Sequence, residues 1–319
     1  MMAPLKILLL QGGDSAEREV SLSSGGRVAA ALRAKGHAVT EADPAGDAFA
    51  VLPAARAADV VWMALHGGAG EDGTIQAMFD LAGVRYTGSG HLASALAMDK
   101  DLSKIVFRAA GVPTADWRML RPGDRWPWRT TPFAEEMAGA LGLPLVVKPS
   151  KQGSTVGLSI VKATQALSEA VALAFRHDDE VMLETYVPGR ELTVGILGDW
   201  VMPVGEIIPK HEIYDYECKY TAGMAEEVFP ADLPPAVRDE TQRLARRAYE
   251  ALKLRGCARI DFRLHPDGRL FCLEANTLPG MTGTSLVPQA AQADGVDFPT
   301  LCERIALDAL GATATGTDR

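Results

Sequence analysis

Apolar residues along this chain fall into two textures. From Leu5 to Gly88, short apolar runs alternate with helical patterns: "KILLL", "GGRVAAALRAKG", "DVVWMALHGG", "TIQAMFDLAG" and "VRYTG" follow one another. Apolar runs without strict alternation read as strands buried on both faces, and their separation by helices is the βαβ signature of a parallel sheet covered by helices. Gly36 stands where the first helix should stop. A second helix-rich segment, "HLASALAMDKDLSKIVFRAAGVPT", ends at Gly111 and Pro113, and the Pro- and Gly-dense "RPGDRWPWRTTPF" after it reads as a surface loop.

From Leu143 the pattern becomes β-rich. "LPLVVKPS" and "GLSIV" flank the polar loop "KQGST", which predicts an antiparallel hairpin, and "VMLETYV" and "RELTVGILGDWVMPVGEII" continue the strands with a turn at Gly198-Asp199. "KHEIYDYECKYTAGMAEE" has no clear period and reads as a long loop, a length of irregular chain that is usually a functional lid or a disordered segment. Pro234 to Leu254 is a charged amphipathic helix, after which "CARIDFRL" and "LFCLEAN" flank "HPDG" as a hairpin. The tail "GATATGTDR" is small and polar and is expected to fray.

Composition narrows the class. A chain of 319 residues suits two or three domains rather than one small core. Charged residues make up 23% and apolar ones 47%, which is ordinary globular usage, and no apolar run approaches the roughly 20 residues needed to span a bilayer. "LKILLL" runs into "QGGDSAE" without a small-residue cleavage site, so it reads as a buried strand and not as a signal peptide. A net charge of −9 argues against a nucleic-acid partner, since phosphate backbones need a basic face. The four cysteines lack CxxC spacing, so free thiols in a reducing cytoplasm are expected rather than a zinc site or a redox pair.

The sharpest candidate chemistry lies in the "HPDG" hairpin. Glu274 and Asn276 are two apart on one strand and share a face, and the turn can bring Asp261 opposite them. Two carboxylates and an amide are hard oxygen donors that suit Mg2+, an ion that completes its shell with waters and phosphates. A solvated polar strand face would explain any one of them alone. Phosphates would need cations, and Lys100 and Lys148 each stand at the edge of an apolar segment, where a lone lysine reads equally as a surface charge. The loop "SKQGSTVG" could lay backbone N–H groups over a phosphate, although it lacks the GK[ST] of a P-loop. Ser15 and Glu17 stand after the first strand, where a helix cap explains them and where open α/β sheets also bind ligands.

In their order, "GGDSAEREVSLSSG", "ALHGGAGEDG", "YTGSG", "AMDK", "VVKPSKQGSTVG", "YDYECKY", "RIDF" and "LEANTLPGMTGTSLVP" resemble the successive motifs of the D-alanine:D-alanine ligases, members of the ATP-grasp superfamily. The resemblance runs from about residue 5 to about residue 308. It implies an ATP-grasp fold of mixed α/β and α+β architecture: an N-terminal parallel α/β domain over residues 1–96, a central domain over 97–186, and a C-terminal domain over 187–312. ATP would lie between the last two, under a lid at about 209–226, with 313–319 as the frayed tail.

The resemblance also implies roles. Lys100 and Lys148 would hold the phosphates of ATP, with Glu184 and Glu191 at the adenine and ribose, and Ser154 and Lys219 close by. Asp261, Glu274 and Asn276 would hold two Mg2+ ions, for which Mn2+ could substitute. The implied reaction activates one D-alanine as an acyl phosphate, which the amine of a second D-alanine attacks. Arg259 and the Gly280 N–H would face the oxyanion, and Glu17 would pair with the first substrate's ammonium within a triad completed by Ser154 and Tyr220. Lys219 and Ser285 would take the second substrate's carboxylate, with His66 and Leu286 lining that pocket. His66 reads as well as a histidine bonded to its own glycine loop.

Asp14, Thr155, Thr185 and Leu278 depart from the family's pattern, but none is itself an assigned metal or phosphate ligand, and the loop "RPGDRWPWRTTPF" matches nothing in it. A rival is another ATP-grasp carboxylate-amine ligase, against which the pairing of Glu17 with the "CKY" lid speaks. A protein that binds ATP without turning it over would have no need of oxyanion donors. A nicotinamide oxidoreductase lacks its glycine fingerprint. The family expectation is a cytoplasmic homodimer acting on D-alanine and ATP, with no nucleic-acid or membrane partner, and a product that feeds peptidoglycan precursor synthesis.

Overall fold

The computed structural model describes residues 3–121, 123–124, 127–210 and 223–311. The first apolar runs form β1 (Lys6–Leu10), β2 (Ala38–Ala42) and β3 (Val60–Met63), a parallel sheet in the order β2-β1-β3. Helices α1 (Arg18–Ala34), α2 (Leu52–Ala57) and α3 (Thr74–Ala82) accompany it. "VRYTG" adds a single parallel bridge, Tyr86 to Val61, instead of a full strand. Strands β1 and β3 are almost wholly buried, as their unbroken apolar character requires. β2, which has a more polar sequence, lies at the sheet's edge.

The helix-rich segment is two helices, α4 (His91–Met98) and α5 (Lys100–Ala109). Asp99 breaks them with an extended backbone (φ −80°, ψ 103°), and its side chain accepts the Leu102 N–H at 3.0 Å, capping α5. That break puts Lys100 at the first position of a new helix, aimed at the loop that joins the two strands of the next hairpin.

A second sheet, antiparallel, contains β4 (Trp117–Leu120), β5 (Leu145–Pro149), β6 (Ser159–Val161) and β7 (Val181–Thr185) in the order β4-β7-β5-β6. Helices α6 (Thr131–Leu141) and α7 (Leu167–Ala174) bury their apolar faces on it. The predicted hairpin around "KQGST" is β5–β6, with Leu145 opposite Val161. Where only a surface loop is expected, Trp128 packs on this core, its ring 5.7 Å from that of Phe175, and α6 begins at Thr131.

The third sheet is built on β8 (Arg190–Leu197), with β9 (Trp200–Val201), β10 (Gly205–Pro209), β11 (Ala225–Val228), β12 (Cys257–Leu264) and β13 (Leu270–Asn276). Its order is β11-β10-β8-β12-β13, with β9 paired to β8 through the turn at Gly198-Asp199. Ala225–Val228 is a correction to the long loop read from sequence: "AEEV" pairs antiparallel with β10, since backbone pairing at a sheet edge tolerates charged side chains that face water. Helix α8 (Pro235–Ala251) lies where the amphipathic pattern places it. Helices α9 (Leu286–Ala293) and α10 (Phe298–Asp308) close the chain.

Core packing ties the sheets together. One core joins α1, β1 and β3 to α9 and α10, so the chain's end packs on its beginning. Another joins α4 and α5 to β8, β12, β13 and α8. The lysine-bearing α5 is therefore anchored on the sheet that carries Asp261 and Glu274. No helix among the described residues is long and apolar enough to cross a membrane.

Candidate active site

The third sheet places the oxygen-bearing residues as the hairpin pattern predicts. β12 and β13 pair so that Asp261 stands opposite Glu274 and Arg259 opposite Asn276, with a bulge just after Asp261. These four therefore share one face of the hairpin. Arg259 donates to both Asp261 oxygens, at 2.8 to 3.2 Å, and Thr193 on β8 adds its hydroxyl at 2.7 Å. Asn276 is held by its own turn, its Oδ1 accepting the Leu278 N–H at 3.1 Å. Among the described residues no three His, Cys, Asp or Glu side chains are arranged to hold a metal ion, so the trio remains two carboxylates and an amide.

Lys100 and Lys148 are only 7% and 8% exposed, which removes the reading of either as a surface charge. Lys100 Nζ donates to the Gln152 carbonyl at 2.8 Å and stands 3.4 Å from Glu274. Lys148 Nζ donates to Glu184 Oε2 at 2.6 Å, and Lys104, one helical turn after Lys100, holds the other oxygen of Glu184. Burial alone would raise the carboxyl of Glu184. The two ammonium groups outweigh it and hold the group down to about 2. Glu191 on β8 pairs with Arg263 at 3.3 Å. Lys100, Lys148, Glu184, Glu191, Arg259, Asp261, Arg263 and Glu274 line one cleft.

A second cleft opens on the other side of Arg259, lined by Glu17, His66, Lys100, Ser154, Arg259, Glu274, Asn276, Gly280, Ser285 and Leu286. Ser15 Oγ accepts the Glu17 N–H at 3.2 Å in the turn before α1, but the N-cap position falls on Glu17 and carries no side-chain cap bond, so the expected capping by Ser15 is corrected to a turn contact. The carboxylate of Glu17 nevertheless turns across the cleft to the hydroxyl of Ser154 on the β5–β6 loop. Ser154 and Thr155 hold left-handed backbones (φ 51° and 63°), a conformation that costs non-glycine residues on the order of 1 kcal/mol or more and concentrates at functional sites. Gly67 (φ 65°) lets the chain pass Glu17: a Cβ there would lie 2.8 Å from its Oε2.

His66 is buried, 3.3 Å from the Ser24 hydroxyl and 3.5 Å from Glu71, while Ser24 Oγ also accepts the Met281 N–H at 3.3 Å. It is thus bonded into its surroundings and still lines the cleft. Ser285 heads α9 and receives the Thr282 N–H at 2.9 Å, and Leu286 is buried beside it. Lys219 and Tyr220, with most of the lid, lie outside the described residues. Of the buried cysteines, Cys257 has its thiol pushed up to about 12 by burial and Cys272 well above its usual range, which keeps both protonated and inert.

Sequence reasoning missed Lys104, Thr193, Gln152 and Arg263. Two of them carried a signal: in "KDLSK" Lys104 lies four residues after Lys100, hence on the same helix face, and in "RIDFR" Arg263 lies two residues after Asp261 on one strand.

Known proteins match this architecture over nearly its whole length. The D-ala D-ala ligase C-terminus family matches residues 106–306, and the D-ala D-ala ligase N-terminus family residues 38–89. A D-alanine–D-alanine ligase of Geobacter sulfurreducens is 45% identical over 305 residues, 95% of this chain and 94% of its own. One of Pelobacter propionicus is 47% identical over 313 residues, covering 98% of each. The crystal structure of a Bacillus anthracis D-alanine–D-alanine ligase complexed with ATP superposes with a TM-score of 0.84 at 30% identity, over 96% of this chain and 98% of that one. The fold is thus ATP-grasp, and the chain belongs to the D-alanine–D-alanine ligase family.

Proposed function

We propose that this protein joins two D-alanine molecules into D-alanyl-D-alanine at the expense of ATP, in the cytoplasm and as a homodimer, for peptidoglycan precursor synthesis. The observation that carries the reading is the shared wall of the two clefts: Lys100, Gly153, Ser154, Arg259 and Glu274 line both. One cleft is rich in groups for phosphate and the other in groups for an amino acid, and they meet where a phosphoryl group would pass between them. In this reading the chain divides into three domains at about residues 96 and 186.

In this reading Glu17 receives the ammonium of the first D-alanine, and Ser154 fixes the carboxylate that does so. A carboxylate oxygen of that substrate attacks the γ-phosphorus of ATP, the bond to ADP breaks, and an acyl phosphate forms. Two anions must approach, so charge neutralisation by Lys100 and Lys148 is the main demand, while Glu184 and Glu191 take the adenine and ribose. The second amine, having lost a proton, attacks the acyl carbon. Its developing oxyanion is met by Arg259 and the Gly280 N–H, and phosphate leaves with the bridging oxygen. Ser285 and Lys219 take the second carboxylate, His66 and Leu286 line its pocket, and Tyr220 in the lid joins Glu17 and Ser154 while excluding water.

The donors suit magnesium by kind: Asp261 and Glu274 are carboxylates that already stand against the cations Arg259 and Lys100, and Asn276 adds an amide oxygen. Two Mg2+ ions, or Mn2+ in their place, would supply Lewis-acid neutralisation of the phosphates when bound there.

Phosphate release by the purified protein with ATP and Mg2+ tests the reading. Release that depends on D-alanine and yields the dipeptide by mass is expected, with L-alanine inactive. Release driven equally by D-lactate as acceptor would redirect the product to an ester, and no release with any acceptor would leave a nucleotide binder.

A further inference from the structure

We propose that Lys104 is a positioning residue that balances the charge of Glu184, so that Lys148 keeps its own positive charge for the phosphates of the nucleotide. The proposal rests on the reading of Lys148 as a phosphate ligand.

Lys104 is fully enclosed, its side chain 0% exposed, and lines neither cleft. Its ammonium donates to Glu184 and to Thr114 Oγ1 at 2.5 Å, and lies 5.0 Å from the centre of the Trp117 ring. Thr114 spends its own hydrogen on the Cys272 carbonyl at 2.7 Å, which leaves a lone pair for Lys104. Three elements converge here: α5 brings Lys104, β7 brings Glu184, and β5 brings Lys148 as its diagonal neighbour across the sheet.

The charge count decides what the cluster offers. Two ammonium groups and one carboxylate leave one net positive charge, and of the two cations only Lys148 reaches the cleft. Without Lys104 the cleft would hold a Lys148–Glu184 pair with no net charge, a poor partner for a polyanion. A buried lysine is costly to keep ionised, as its burial lowers its ammonium and Lys148 lowers it further against the opposing pull of Glu184. A lysine placed there nonetheless has a purpose if Glu184 must be a carboxylate for the nucleoside without silencing Lys148.

The test measures dissociation constants of MgATP and of adenosine, which lacks phosphates, for the full chain and three variants. Lys104→Met should weaken MgATP about tenfold or more while adenosine changes less than about threefold, because one unit of charge is lost at the phosphates. Lys104→Met combined with Glu184→Gln should return the MgATP-to-adenosine ratio to within about threefold of wild type, since Lys148 alone again offers one positive charge. This double variant also removes the buried charges together, which keeps the question answerable if the single variant does not fold. Equal weakening of both ligands, or a ratio that the double variant does not restore, would overturn the proposal and leave Lys104 a packing residue. Lys148→Met should raise the same ratio of dissociation constants, and an unchanged ratio there would remove the premise about Lys148, and the proposal with it.

Discussion

Replacing Gly280 by alanine isolates the oxyanion contact. The backbone of Gly280 lies outside the left-handed region, so the change brings no conformational penalty of its own. A Cβ at that position would lie 2.8 Å from Ser285 Oγ, closer than such atoms approach. The serine cannot swing freely, because its oxygen receives the Thr282 N–H at 2.9 Å and meets the Thr282 hydroxyl at 2.8 Å. Either those bonds break or the Pro279–Gly280 turn shifts. Losing them costs about 1 to 2 kcal/mol of stability, too little to unfold a domain of this size. A displaced N–H would cost about a hundredfold in kcat, about 3 kcal/mol of transition-state stabilisation. The assay is steady-state ADP release at saturating D-alanine and ATP, with a denaturant melt beside it. A kcat within about threefold of wild type, in a protein whose melt matches wild type so that the Ser285 bonds persist and the turn has shifted instead, would refute the oxyanion role.

Ser154→Ala removes the hydroxyl that fixes Glu17 and should raise the KM for the first D-alanine about tenfold, with the KM for ATP within about twofold; initial rates against each substrate decide it. Glu184 has its carboxyl held below its usual value of 4.5, so it contributes stability above about pH 4.5 and loses it as pH falls toward about 2. Glu184→Gln should therefore flatten the fall in stability between about pH 5 and pH 3 in urea melts, and an unchanged slope would contradict the ionised cluster. Lys253, exposed and left-handed (φ 57°), closes α8 in a turn whose Leu254 N–H reaches the Tyr249 carbonyl at 2.9 Å, so Lys253→Gly should stabilise the protein by about 1 kcal/mol without altering turnover, as melting and rate measurements would show.

The parts of the site that lie close together in sequence were legible before the structure. The β12–β13 hairpin follows from alternation around "HPDG", and with it the facing of Asp261, Glu274 and Asn276. The apolar runs likewise fix the parallel sheet. What pattern could not supply were pairings between distant segments. Glu184 meets Lys104 and Lys148 across 80 and 36 residues, and no periodicity in either segment encodes the meeting. Thr193 reaches Asp261 only because β8 lies beside β12. The strand at Ala225–Val228 was hidden for a different reason: its "AEEV" has little apolar content, and only the unpaired edge of β10 recruits it. The left-handed backbone at Ser154 and Thr155 was also invisible, since nothing in their side chains favours it.

The central claim is that one D-alanine carboxylate becomes an acyl phosphate in the cleft shared by Lys100 and Arg259. The most direct measurement supplies D-alanine carrying oxygen-18 in its carboxylate and weighs the phosphate released. The account predicts that a labelled oxygen appears in the phosphate in step with dipeptide formation, because the bridging oxygen leaves with phosphorus when the amine attacks. Phosphate free of label, formed at the same rate as dipeptide, would contradict it.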